Sequence, residues 1–186
     1  MKVTREQAAR NRETVVDVAS RLFRTHGVEG VGIGEIMRES GLTHGGFYGQ
    51  FGSKEMLAAE ACRRALDASA TRWTRIADAH PDDAVTALAT DYLSARNRDM
   101  PETGCALVAL AADAARRGGD VAAAFRQGLL NLADIIAQSP PESDADRALA
   151  VLSQMVGAMT IARAVNDDAL SDRIMTAARK ALAKAE

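Results

Sequence analysis

Aromatic side chains are scarce, seven in 186 residues (four Phe, two Tyr, one Trp), and set beside abundant Ala and Leu this favours helix over strand. Cysteine is almost absent. Cys62 and Cys105 stand 43 positions apart with no Cys-x-x-Cys or Cys/His spacing, so neither a disulfide framework nor a structural zinc site is expected. Long hydrophobic runs are missing too. The uncharged apolar-rich stretch from Gly104 to Ala112 falls well short of the roughly 18 residues a membrane span needs. Met1 to Arg12 is dense in Lys, Arg, Gln and Glu and has no apolar core segment, so a secretory signal is not expected and the cytoplasm is the expected location. Nor does one sign of charge dominate: 23 Lys+Arg face 25 Asp+Glu, net -2, and a 47% hydrophobic share is enough to bury a core, which excludes disorder as the main state. The three histidines, His26, His44 and His80, are scattered. Without Gly-x-Ser-x-Gly, His-Glu-x-x-His or a phosphate loop, no enzyme, metal site or cofactor is expected.

What is present is unevenly distributed. Residues 1–54 carry eight basic and six acidic groups, net +2, and the remaining 132 carry 15 and 19, net -4. Nine of the 14 glycines fall between positions 27 and 52, where short elements joined by tight turns are expected.

Periodicity of 3.6 residues sets out the helices. From Thr4 to about Thr25, Val15, Val18, Ala19, Leu22 and Phe23 line one face, and Gly27 ends the helix. Ile33, Ile36 and Met37 make a short amphipathic helix that stops at Ser40-Gly41, where glycine suits a left-handed C-cap. Thr43 is placed to cap a second short helix through Gln50, broken by Phe51-Gly52. Ser53 caps a fourth, with Glu55 in its first turn and the helix reaching Trp73. Longer helices are expected at about Asp82–Arg98, Gly104–Arg117, Asp120–Gln138, Ser143–Asn166 and Ala169–Ala185. No stretch alternates with period two. The fold class is all-α, with about nine helices.

The two short helices around Ser40-Gly41-Leu42-Thr43 have the proportions of a helix-turn-helix over about residues 32–51, a pattern that also fits an ordinary helical hairpin. Gly45, Gly46 and Gly49 remove side chains where backbone would lie close to DNA. Thr43, His44, Tyr48, Gln50 and Lys54 supply donors for phosphates and base edges.

The run from Gly41 to Leu57, Gly-Leu-Thr-His-Gly-Gly-Phe-Tyr-Gly-Gln-Phe-Gly-Ser-Lys-Glu-Met-Leu, follows Ala19-Ser-Arg-Leu-Phe23, Gly27 and Ile33-Gly-Glu-Ile36. Together they resemble the DNA-binding domain of the tetracycline-repressor (TetR) family over about residues 10 to 60. The resemblance implies a homodimeric repressor of double-stranded DNA, with a DNA-binding head at residues 1–54 and an effector-binding and dimerisation body at residues 55–186. It puts Thr43, His44, Gly45 and Phe47 toward bases and Tyr48 and Lys54 on phosphates. Two positions depart from the pattern. Gly32 stands where a capping Ser or Thr is usual, and Gln50 where His is common. The missing hydroxyl shifts phosphate contact toward Tyr48, Lys54 and Arg24. Phe47 and Phe51 also share a face with Phe23 and Ile36, which reads them as core.

In the body, Leu149, Leu152, Val156, Met159 and Arg163 recur at three- and four-residue steps, and Leu170, Ile174, Ala177 and Ala181 repeat the idea in the last helix. Such stripes fit core, and equally a helix pair meeting its twin across a two-fold; Leu152, Val156, Met159, Leu170 and Ile174 are the dimer candidates. Trp73, Tyr92, Cys105 and Phe125 are the candidates for an effector cavity, with Met100 and Leu110 beside them. Gly104-Cys105 opens a helix, where the dipole would lower a thiol pKa, and the pair is similar to an electrophile-responsive branch of the family. A buried, inert thiol is the other reading. Against the palindrome-binding repressor released by a small molecule stands a helical protein-interaction module without DNA binding, which the negative net charge allows.

Overall fold

The computed structural model describes residues 4–139 and 144–183. Among these, ten α-helices and one short 3-10 helix account for the regular structure. They are α1 (Arg5–His26), α2 (Ile33–Glu39), the 3-10 turn (His44–Gly46), α3 (Tyr48–Phe51), α4 (Lys54–Ala79), α5 (Ala84–Tyr92), α6 (Ala95–Asp99), α7 (Ala106–Arg117), α8 (Gly119–Ala137), α9 (Ala145–Ala164) and α10 (Asp168–Ala183).

Caps explain where the helices begin and end. Thr4 Oγ1 accepts from Gln7 N at 3.1 Å and Ser53 Oγ from Met56 N at 3.1 Å, so the first turns of α1 and α4 start on satisfied amides. Gly27, at φ 71°, lets the chain leave α1 while its N–H returns to Phe23 O. Thr43 occupies the cap position as expected but makes no side-chain capping bond. The span expected as one helix from Asp82 to Arg98 is two. Leu93 leaves the helical region at ψ 54°, and Ser94, whose hydroxyl takes Asn97 N at 3.3 Å and bonds back to Asp91 O at 2.8 Å, starts α6 afresh. Expected boundaries at Ser143 and Ala185 lie outside the described residues; α9 is capped by Asp144, which accepts from Asp146 N at 2.9 Å.

Packing ties the first helices to the later ones. The axis is α4 against α8, where Gly128 lies so close to Leu66 that a Cβ would stand 2.4 Å from Leu66 Cδ1. One apolar cluster runs from Val15, Phe23 and Phe51 through Leu57, Leu66 and Trp73 to Leu132, Val151 and Met159. α1 lies on α4, with Arg12 paired to Glu60 and Arg64 to Asp17 at 2.7 Å, and also touches α7. No helix of the described residues is long and apolar enough to cross a membrane.

Candidate DNA-binding face and effector cavity

The second short helix is built in two steps. Gly46 N bonds Thr43 O at 3.1 Å and Phe47 N bonds His44 O at 3.2 Å, closing the 3-10 turn; Phe47, already helical at φ -63°, hands it on to α3. The continuous turn fixes two faces. Phe47 and Phe51 point inward, fully buried, their rings stacked at 5.6 Å and capped by the Arg12 guanidinium 4.8 Å above Phe51. His44, Gly45, Tyr48 and Gly49 point out.

Tyr48 is 61% exposed, a large ring standing on the edge of Phe47 at 5.2 Å. The ring is anchored below and open above. Thr43 and His44 are exposed beside it, and Lys54 is half-buried at the start of α4, with no ion-pair partner among the described residues. Gln50 is half-buried, its Oε1 covered and without a hydrogen bond. Two expectations change. Phe47, named as a base contact, has no exposed surface, because its ring fills the gap between α3 and the head core; it supports the face from beneath. Arg24 is turned away from this face, bonding Ser20 O and Gly104 O at 2.9 Å each, so its fork belongs to the body.

Trp73, Tyr92 and Cys105 do come together. The rings of Trp73 and Tyr92 meet edge to face at 5.7 Å, and both residues line a cavity of about 80 Å³ with Cys105 and Arg24. That volume is well below the roughly 300 Å³ of a typical small-molecule site, so an effector there needs the helices to part. Phe125 is half-buried against the core elsewhere and does not line this cavity. Tyr92 is buried, and its hydroxyl lies beside the Cys105 thiol.

Between the two readings of the thiol, the structure favours the buried one. Cys105 is indeed the N-cap of α7, its Sγ accepting from Leu107 N at 3.4 Å. Burial nevertheless pushes its pKa up, outweighing Tyr92, the Leu107 and Val108 amides and Arg163, which all pull it down.

Of the dimer candidates, Leu152 and Met159 are buried within the single chain and belong to its core. Val156 and Ile174 are half-buried and Leu170 is 40% exposed, on the outer side of α9 and α10 with Leu149 and Ile161, the latter 54% exposed.

Residues the sequence reading passed over join head to body. Asp113 and Arg117 on α7 reach back to the head: Asp113 Oδ2 accepts from Val28 N at 3.2 Å, and Arg117 pairs with both Glu29 and Glu55. An isolated Asp inside Ala-Ala-Asp-Ala-Ala was the available signal. Among the described residues no group of three or more His, Cys, Asp or Glu could hold a metal ion.

Residues 15–61 match the family described as bacterial regulatory proteins, tetR family. An HTH-type transcriptional regulator of Staphylococcus aureus (strain bovine RF122 / ET3-1) is 32% identical over 90 residues, covering 48% of this chain and 49% of the relative. The chain thus spans about half the length of the curated relatives it matches. Among solved structures, a TetR transcriptional regulator from Chloroflexus aurantiacus J-10-FL superposes with a TM-score of 0.79 at 25% identity, covering 96% of this chain and 97% of the other. The reduced form of Escherichia coli NemR has the same fold, with a TM-score of 0.77 at 19% identity over 93% of this chain and 95% of that one. The named relatives are transcriptional regulators rather than enzymes, in agreement with the absence of catalytic motifs from the sequence.

Proposed function

We propose that this chain, which belongs to the tetR family of bacterial regulatory proteins, is a DNA-binding transcriptional regulator, acting as a homodimeric repressor in the cytoplasm and released from a palindromic operator by a small molecule. The observation that carries the reading is the outward face of the second short helix. His44, Gly45 and Tyr48 are open while Phe47 and Phe51 lock the helix from below, inside the segment that matches the family. A rigid helix with a bare glycine backbone and exposed donors suits a major groove. On this reading the head is residues 1–54 and the body residues 55–186. Thr43, His44 and Gly45 approach base edges, Tyr48 and Lys54 take phosphates, and Gln50 acts from the flank.

The dimer reading uses the outer side of α9 and α10. Leu149, Val156 and Ile161 on one helix and Leu170 and Ile174 on the other form an apolar surface that a second copy would cover. Two heads so related would read half-sites about 34–36 Å apart, or a multiple of that. The effector reading uses the cavity at Trp73, Tyr92 and Cys105. A ligand that parts these residues moves α4, whose first residue is Lys54, and so favours the arrangement that does not fit DNA.

Selection of duplexes from a random pool with the purified full chain, followed by anisotropy titration across salt, tests the core of this. A defined site whose affinity falls steeply with salt is expected. Absence of duplex affinity at low salt would turn the reading to a helical protein-interaction module.

A further inference from the structure

A cleft of about 710 Å³ opens where the last turn of α1 meets the corner between α9 and α10, separated from the cavity at Trp73 by Arg24, which lines both. Three arginines line it: Arg24 from the head, Arg98 from α6 and Arg163 from α9. Arg98 is fully matched, by Asp99 at 2.6 Å, Asp172 at 3.0 Å and Asp168 at 3.8 Å.

Arg24 and Arg163 are not. Among the described residues no carboxylate lies within 4.0 Å of either; Glu102 acts on both, and Asp99 on Arg163, only from beyond that distance. Each is half-buried and held by neutral carbonyls, Arg24 by Ser20 O and Gly104 O, and Arg163 by Asn97 O. Arg163 Nε is buried and, among the described residues, has no hydrogen-bond partner. The two forks converge on one residue. Arg24 bonds the Gly104 carbonyl, and a Cβ on Gly104 would stand 2.7 Å from an Arg163 terminal nitrogen, so only glycine lets the second guanidinium come this close. Burial lowers the pKa of both arginines because their charged forms have lost water. Two desolvated cations brought together with no carboxylate in contact are costly unless an anion arrives.

We propose that this cleft binds a small organic carboxylate, gripped by Arg24 and Arg163. The planar fork of arginine matches a carboxylate edge to edge, and two forks from different helices fix its position. The remaining walls decide against a dianion. Asp99, Asp167 and Asp168 line the same cleft and would repel a second negative charge, while Pro101, Val108 and Ala162 offer apolar surface for an organic body. Since Arg24 belongs to α1 and Arg163 to α9, the bound acid bridges the DNA-binding head and the last helices of the body.

Benzoate is the probe, titrated calorimetrically into the full chain at fixed ionic strength, with sodium chloride as the matched control and no DNA present. Saturable benzoate binding is expected, weakened roughly tenfold or more in Arg163→Gln and in Arg24→Gln, each shown folded by circular dichroism. Arg163→Lys, which keeps charge and loses the fork, should weaken it as well, and the exposed Arg75→Gln should leave it within about twofold. Heat identical to the chloride control in the native chain would overturn the proposal whether or not the variants fold, as would native-like binding in folded Arg163→Gln. Phosphate displacing benzoate with higher affinity would overturn the choice of a carboxylate. Because duplex DNA is not involved, any of these outcomes leaves the DNA-binding reading to its own test.

Discussion

Asp113 and Val28, 85 positions apart, are joined by a buried hydrogen bond in which the Asp113 carboxylate accepts from the Val28 amide at 3.2 Å. Asp113 is 3% exposed, and its second oxygen takes Arg116 at 3.1 Å. The amide it satisfies lies directly after Gly27, where α1 has just ended and the backbone has no helical acceptor to offer. Asp113→Ala strands that amide and should cost about 1–3 kcal/mol in urea unfolding. Asp113→Asn, which keeps a carbonyl acceptor, should cost less. Equal stability of Asp113→Ala and the native chain would show that water replaces the carboxylate.

The exposed face of the second short helix makes a prediction in two parts. Tyr48→Ala and Lys54→Ala should weaken binding to every duplex alike, and Lys54→Ala, which also removes a charge, should lower the salt slope by about one. His44→Ala should instead narrow the gap between specific and random sequence. Since Tyr48 is 61% exposed, its loss should alter fold stability by less than about 1 kcal/mol. Undiminished affinity in the Tyr48 and Lys54 variants would remove both from the DNA contacts.

Burial distinguishes two substitutions on one helix. Met159 is fully buried, so Met159→Glu should unfold the chain by placing an unpaired carboxylate in its core, whereas Ile161→Glu changes a side chain that is 54% exposed. Sedimentation should find Ile161→Glu folded and monomeric. A stable Ile161→Glu dimer at low micromolar concentration would locate the subunit interface elsewhere.

Gly128 predicts an inverted propensity effect. Alanine is the better helix former by about 1 kcal/mol, yet a Cβ here would stand 2.4 Å from Leu66 Cδ1 and 2.6 Å from Leu66 Cβ. Gly128→Ala should therefore lose about 1–3 kcal/mol of stability by forcing α4 and α8 apart. A raised melting temperature would mean that the helices yield without strain.

Alkaline pH should loosen the fold through Cys62. Burial raises its pKa from 9.0 to about 11, so the folded chain keeps the proton that the unfolded chain releases. The sign follows: this contribution is complete below about pH 9 and is lost as pH climbs toward 11. Urea midpoints should fall across that window, and fall less in Cys62→Ala. A decline just as steep in Cys62→Ala would assign it to other groups.

Sequence reading succeeded where a local rule was enough. The stop at Gly27, the cap at Ser53 and the inward turn of Phe51 each follow from a few neighbouring residues. It failed where a partner from far along the chain decides. Arg24 looked like a phosphate ligand because it sits in a basic head, but the Gly104 carbonyl, 80 positions away, holds it. Met159 and Val156 belong to one stripe in the sequence, and only packing against the body separates core from surface. The helix-terminal position of Cys105 was readable, but local sequence left an activated and a buried thiol both open, and only packing from the body decides for the buried one.

The clamp of Arg117 on Glu29 and Glu55 sets a rule for anyone recombining this protein with others. A chimera that joined residues 1–54 to a foreign body would sever α4 after its first residue and discard the α7 groups that hold Val28 and Glu29. The transferable unit is consequently not a contiguous stretch of sequence. A working graft must carry all of α4 and rebuild an Asp and an Arg where the last two turns of α7 would meet the head, or the transplanted reader will arrive without the surface that holds it in shape.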